Sequence, residues 1–561
     1  MNVDQIYEVS KRRNFHVFIL AVSVLLFFVT LLKTSPGAPE SSVYWYASSL
    51  YWTFWPGLML SVFGILLSIR NDRKYLSLVS VLLPVLYLYT LPNLVHDMIP
   101  VFDVYHVIPS VLSIMETGHW DMSRIPFPGS HIYQASQLLV LNADIMVYAR
   151  WFPTLLVSMI ILFIFTISKS ISIKWAPMAP LMFFAFNWYM EYHLARQPFG
   201  MMIWTAFWLV MFLYIDKKKY RLMALSGLVL FAIVPSHPGM LIIVTFNMIG
   251  LAFVTIVSLK DKVKWRYLYP TIPVILFFAV TAAIFYFKVP SINEYMTSVY
   301  EDFTTSEGRN FSMGGPAATS LQYAFVNRLR LLSGVLQSLI GLLGCVVLYL
   351  KVSKKALLLG SWFFSCYLWL IYSFGRDGYL IERGFLVALV PASILVVALL
   401  KYYAPKNIEF KELVRISTVV ILIAFLIIVP ITKNSIDSIE TPSLPSYAAG
   451  RFAQESFEGR VYMTDTHQGM FRYIEATGNY SVRFTVSRRS AQDQPYGYAI
   501  PRTTNPDLSP ILFTDYFNNY ISVRYGNTTA VNEIHRYEEL RNTNSIRIYD
   551  SSGSRIYIVE N

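Results

Sequence analysis

Apolar runs long enough to cross a bilayer follow one another from Phe15 to Thr432, separated by short polar turns. A soluble core has no room for so many. In a membrane each run buries itself, because about twenty helical residues cross the hydrocarbon layer with every backbone hydrogen bond made internally. Composition agrees: 55% of the 561 residues are hydrophobic, 16% aromatic and only 14% charged, with a mean hydropathy of +0.47, well beyond the usage of soluble domains. The expected fold class is an α-helical polytopic membrane protein. Counting ~20 residues per span predicts about thirteen transmembrane helices, at 14–33, 50–69, 75–93, 146–168, 174–190, 198–215, 222–235, 238–258, 267–287, 330–350, 356–373, 384–401 and 414–432. The first run follows Lys11, Arg12 and Arg13 as a signal peptide would. No clean small-residue cleavage site comes after it, so it reads as a retained helix.

Charge orients these spans. The net charge of +12 sits in short clusters between apolar runs: Arg70, Arg73 and Lys74; Lys169 and Lys174; Lys217 to Lys219 and Arg221; Lys260, Lys262, Lys264 and Arg266; Lys351, Lys354 and Lys355; Lys401, Lys406, Lys411 and Arg415. All fall on one side if every span crosses once, and the positive-inside rule makes that side, and the N-terminus, cytoplasmic. The charge therefore gives no reason to invoke nucleic acid. The opposite side receives a loop at 94–145, a second at 288–327, the turn GRDGYLIER, and the tail from 433 to 561. It also receives the sequons at Asn310, Asn479 and Asn527, which are weak support because such triplets arise by chance. Cys345 and Cys366 lie inside apolar runs and read as packing residues.

The tail changes character. Short alternating runs, GRVYMTD, YSVRFTV, YISVRYG, SIRIYD and SRIYIVE, read as strands, with a helix near Tyr537 to Arg541. A small extracytoplasmic α/β or β-rich domain is expected over 433–561, attached to a membrane domain over 1–432.

The polar stretch from Asn93 to Gln137 interrupts this pattern with His, Asp, Pro and Gly. The third span ends near Pro92, so Asp97 and Asp103 emerge within about two helical turns of the outer surface. A half-desolvated carboxylate there suits a general base, or a ligand for a divalent metal. Val104 to Met115 carries apolar residues at helical spacing with His106 and Glu116 near its ends, as an interfacial helix would, and Gly118 stops it. Pro126, Pro128 and Gly129 then turn the chain into a second short helix bearing His131.

This loop, FDVYHVIPSVLSIMETG followed by PFPGSHIYQA, resembles the first external loop of the GT-C superfamily of integral membrane glycosyltransferases. The family places an acid near the start of that loop, followed by two juxtamembrane helices. Asp103 takes the position of the family's catalytic acid, and Asp97 is second. Here the loop follows the third span, so the first two would be an N-terminal addition. The tail lacks the WWDYG-type motif of oligosaccharyltransferases, which favours transfer of a single sugar, hexosyl or pentosyl. The resemblance implies a donor sugar on polyprenyl (or dolichyl) phosphate or diphosphate, membrane lipids around it, and a glycan, lipid or protein acceptor, as in protein glycosylation at a prokaryotic, archaeal-like cell envelope. Such a donor needs positive charge at the departing phosphate. Arg383, with Glu382 beside it, enters a helix from an external turn; Arg196 and His237 lie at outer helix ends. A divalent metal, magnesium or manganese, is the other source of that charge; the histidine spacing matches no zinc signature. The loop at 288–327 would be the family's mobile loop.

Two other classes stay open. A transporter or lipid flippase has as many spans, but places ionisable residues near the bilayer midplane, whereas these acids sit at its surface. A non-catalytic envelope subunit would use the tail and need none of the loop residues. Asp97 and Asp103 would then be helix-capping or solvated acids.

Overall fold

The computed structural model describes residues 3–35, 42, 44–70, 74–101, 103–120, 127–188, 193–257, 271–290, 292–294, 297, 321–350, 354–373, 378–403, 408–434, 444–456, 459–463, 482–486, 511–514, 545–551 and 554–559. Among these, the side chains of 3–13, 70, 74, 103, 257, 354, 372–373, 378–380, 408, 410, 444–446 and all the strands lie outside the description. The sequons and residues 298–320 of the second loop also lie outside the described residues.

The chain is mostly helical. It opens with α1 (Val3–Lys33), a short α2 (Trp45–Ser49) and α3 (Phe54–Arg70). The third span is broken: α4 (Lys74–Val85) passes through a π-helical turn (Leu86–Thr90) into α5 (Leu91–Val95). Pro84 lies just ahead of that turn, and a proline without an N–H is a standard cause of such slack in the ladder. Then follow α6 (Asp103–Thr117), α7 (Gly129–Leu141), α8 (Ile145–Lys169), α9 (Met178–Phe186), α10 (Arg196–Lys217), α11 (Tyr220–Ile233) and α12 (Pro238–Val257). The remaining membrane helices are α13 (Thr271–Lys288), α14 (Leu321–Leu350), α15 (Lys354–Ser373), α16 (Gly378–Tyr402) and α17 (Ile408–Asn434).

Nine helices among the described residues are long and apolar enough to cross a membrane, and three more, Phe54–Ile69, Tyr220–Ile233 and Lys355–Ile371, are apolar but shorter. The expected span at 174–190 contains only the nine-residue α9, every residue of it buried. Residues near Ser170 to Ala176 are spent in turns, and the helix stops at Asn187, whose side chain donates to the Tyr89 hydroxyl at 2.6 Å. At the other extreme, α14 begins nine residues before the expected 330.

α16 is the hub. The window Ile381–Tyr402 is 94% buried, against 22% for Thr271–Lys288 at the periphery; α14, α15, α9 and α8 all pack on α16. A second apolar layer caps the end of the bundle that carries the Asn93–Gln137 loop. There Ile99, Val104, Tyr105 and Ile108 meet Ala135 and Leu138 of α7, Phe152 of α8 and Phe199 of α10. The tail enters the same layer through Ala449 and Ala453 of α18 (Leu444–Ser456).

Beyond α18 come β1 (Gly459–Met463), β2 (Val482–Val486), β3 (Ile511–Thr514), β4 (Ser545–Ser551) and β5 (Ser554–Val559), in the sheet order β2-β1-β3-β5-β4. β1 runs parallel to β2 and β3, while β5 is antiparallel to β3 and β4. All but β3 fall on the alternating runs read from the sequence; YISVRYG and the helix expected near Tyr537 to Arg541 lie outside the described residues.

Candidate functional site

The polar side chains of interest gather at the loop end of the bundle. α5 ends at Val95, and the guanidinium of Arg150 on α8 takes the carbonyls of Asn93, His96 and Asp97 at 2.5, 2.9 and 2.7 Å. Asp97 itself is exposed. The His96 ring lies against Trp45 and Tyr46, with centroids 5.1 and 5.6 Å away, and burial, then the Arg150 charge, pushes its pKa down to about 3. Six residues after Asp97, Asp103 is the first residue of α6; its side chain lies outside the described residues. His106 is half-buried in the first turn of the same helix. Glu116 is exposed at the far end of α6, about 20 Å along the axis at 1.5 Å per residue, so the fold does not bring it to the others. Gly118 ends α6 with φ +70°, the left-handed conformation that favours glycine.

α7 is brought to the cluster by a close approach that only glycine allows. The Gly129 N–H donates to the Pro235 carbonyl at 2.9 Å, and a Cβ there would lie 3.0 Å from that oxygen. This joins the start of α7, two residues before His131, to the turn between α11 and α12, two residues before His237. His237 is buried, its Nδ1 accepting from the Gly239 N–H at 3.0 Å. Burial, then Arg383, then Arg196 hold its pKa well below the usual imidazole value. His131 is lowered to about 3 by burial and then by Arg196. Burial thus favours the neutral form of both rings; both sit in the positive field of Arg196, the first residue of α10, and His237 also in that of Arg383, in the second turn of α16.

Three more groups, missed by the sequence reading, share this end. Arg330 on α14 is 5% exposed; it donates to the Thr432 carbonyl at 2.9 and 2.7 Å and lies 3.9 Å from Glu382. Lys433, 4% exposed, holds its ammonium 3.1 Å from the centroid of the Tyr89 ring, a cation–π contact. Gln134 on α7 is fully buried, and neither side-chain atom has a hydrogen-bond partner among the described residues; the same holds for His131 Nδ1 and Gln197 Oε1. Buried polar atoms in that condition are the ones that take a ligand or ordered water. Arg330 and Lys433 were visible by the criterion that picked out Arg383: a charge at the loop end of an apolar run. Gln134 carries no such signal.

Chemically the site offers several cations, neutral imidazoles and amides around the end of a loop that begins with two acids. Among the described residues, no three His, Cys, Asp or Glu side chains gather to hold a metal ion. Cys345 and Cys366 are buried free thiols, away from this end.

No protein-family model matches the sequence, and no curated protein matches it. Solved structures do match. The crystal structure of ArnT from Cupriavidus metallidurans bound to undecaprenyl phosphate superposes with a TM-score of 0.51 and 11% identity, covering 86% of this chain and 97% of that one. ArnT from the same organism in the apo state gives a TM-score of 0.47 and 10% identity, over 82% and 94%. The likeness to the undecaprenyl phosphate complex extends over nearly the whole length of ArnT. The chain therefore shares the fold of that ArnT structure.

Proposed function

We propose that this protein transfers a single sugar from a polyprenyl phosphate donor to an acceptor at the outer face of the membrane. The observation that carries the reading is the convergence of Arg196, Arg383, Arg330 and Lys433 at the end of the bundle where the acid-bearing loop emerges, on a fold whose solved neighbour binds undecaprenyl phosphate. Arg330 and Lys433 are buried and Arg196 and Arg383 half-buried; a lipid phosphate would bring opposite charge to such a cluster together with an apolar tail for the bilayer.

In this reading Asp103, with Asp97 as the second choice, takes the proton from an acceptor O–H or N–H. The freed electron pair forms the bond to the anomeric carbon from the face opposite the phosphate. The bond from that carbon to the phosphate oxygen breaks with inversion, and its electron pair leaves on polyprenyl phosphate. Arg383 and Arg196 stabilise the charge developing there, as guanidinium groups do for phosphate oxygens. His131, His237 and the amides of Gln134 and Gln197 fit the sugar hydroxyls; Glu382 orients Arg330. His106, at the start of α6, and Glu116, at its far end, are assigned to the substrate without a placement beside the cations. A diphosphate donor would place the same demand on these cations, and a magnesium or manganese ion would be another source of positive charge.

The topology follows the charge pattern: basic turns and N-terminus cytoplasmic, the nine long and three shorter apolar helices crossing, the buried α9 standing where the last of about thirteen spans was expected, and the tail outside as an α/β domain. A dolichyl-type lipid and a protein acceptor are the envelope version of the same chemistry.

Thermal unfolding of the purified full chain tests the donor site. Undecaprenyl phosphate should raise the Tm, by the linkage that stabilises whatever state binds ligand, and undecaprenol should not. Equal shifts with both lipids, or none with either, would overturn the phosphate site.

A further inference from the structure

The segment between α5 and α6 is held more firmly than a connector needs to be. Arg150 binds three carbonyls, and only that of Asn93 belongs to the last turn of α5; those of His96 and Asp97 lie beyond it. Capping a helix C-terminus with an arginine is ordinary and accounts for Asn93 and for His96, the C-cap of α5; the bond to the Asp97 carbonyl goes beyond what a cap needs. Two residues later the Tyr105 hydroxyl accepts from the Ile99 N–H at 3.0 Å and reaches its carbonyl at 3.3 Å. Val101 then adopts φ +70° with its side chain buried. A β-branched residue in that region is a genuine steric outlier, and such strain persists only where the surroundings over-determine the backbone. Asp103 follows two residues on.

The clamp is itself anchored. Asp144 accepts from the N–H groups of Met146 and Val147, both at 2.9 Å, which fixes the start of α8. Tyr148 stacks on Phe152 with centroids 4.8 Å apart and donates to Gln137 on α7 at 2.9 Å. One rigid corner therefore holds α7, α8 and the acid loop together.

Resting on the transfer reading above, we propose that Arg150 is a positioning residue: its fork on the His96 and Asp97 carbonyls holds the loop against the strain at Val101 and so sets where α6, with Asp103 at its head, begins. The planar fork is what does this. A lysine has one point charge to offer three carbonyls, and a methionine none.

The test compares wild type, Arg150→Met, Arg150→Lys, Val101→Gly, the double variant Arg150→Met with Val101→Gly, and Asp103→Asn, each as the full chain in membranes. Transfer is read from a titrated, radiolabelled polyprenyl phosphate hexose pool to endogenous acceptor, normalised to folded protein. Hydrogen exchange of the amides at 97–105 is read on the same samples. Arg150→Met should lower kcat by about a hundredfold, the scale of a 1 Å misplacement, with the donor KM little changed. Arg150→Lys should recover about a tenth of the lost rate. Val101→Gly should return about tenfold to the Arg150→Met protein, because glycine takes φ +70° without steric cost. Exchange at 97–105 should speed up in Arg150→Met and slow again in the double variant. Unchanged kcat and exchange in Arg150→Met would overturn the proposal, as would strictly additive losses in the double variant. Loss in Asp103→Asn alone would leave the transfer reading standing without the clamp. A wild type that transfers nothing would overturn both the transfer reading and the positioning role.

Discussion

The two ends of the helix bundle use their cations differently. At the basic end, Lys355 pairs with Asp216 at 2.9 Å and caps the Ser170 carbonyl at 3.0 Å, Lys401 caps Ile171, and Arg415 meets Glu412 while lying 5.2 Å from the Trp175 ring. These charges are partly exposed and finish helix ends. At the loop end, Arg330 and Lys433 are almost wholly buried, and Arg196 and Arg383 cast a field strong enough to help depress two histidines. Beside them stands the buried Gln134, neither of whose side-chain atoms has a hydrogen-bond partner among the described residues. A membrane protein needs the first kind of charge to end its helices; the second kind gathers at the end where the proposed donor phosphate would sit.

That contrast is sharpest in transfer. Arg383→Met and Arg196→Met should each lower kcat/KM by about 10²–10³, the usual loss on removing one donor to a developing charge, while Lys355→Met at the other end should leave it within about twofold. Label transfer at matched folded protein reads both, and equal losses at the two ends would erase the distinction.

A smaller effect appears in acid. His96 and His131 are held at about 3 in the folded state against about 6.5 unfolded. Their folded pKa is depressed by burial, so the unfolded chain binds more protons below pH 6.5 and stability falls with pH from there towards 3, by up to about 1.4 kcal/mol per unit for each ring. Unfolding followed from pH 7 to pH 4 should show a shallower decline in His131→Gln and in His96→Phe. The same slope in all three proteins would mean the rings are not what titrates. Smallest is Lys355→Met on stability itself: its pair with Asp216 is partly exposed, and such pairs are worth at most about 1 kcal/mol, readable as a slight drop in Tm.

Much of this organisation was legible in the sequence because hydropathy is a local signal. The apolar windows located the long spans, Gly118 marked the end of α6, and the prolines before Gly129 marked the start of α7. What stayed hidden depends on residues far apart in the chain. Lys433 matters because it sits on Tyr89, and Arg330 because it reaches Thr432 and Glu382; neither contact leaves a trace in a window of twenty residues. The window at 174–190 is apolar enough to span, yet α9 is short because it is buried among helices and ends where Asn187 bonds to Tyr89. Asp103 was singled out by its place in a loop rather than by any pairing, and the same is true of Arg383. Arg150 was passed over as one more residue at the head of an apolar run.

The most direct measurement is transfer of label from a radiolabelled polyprenyl phosphate sugar pool to endogenous acceptor in membranes holding wild type or Asp103→Asn at matched folded levels. The account predicts transfer by wild type and a loss of at least about a hundredfold on removing the base, with the Tm unchanged. An Asp103→Asn protein that transfers as well as wild type would contradict it.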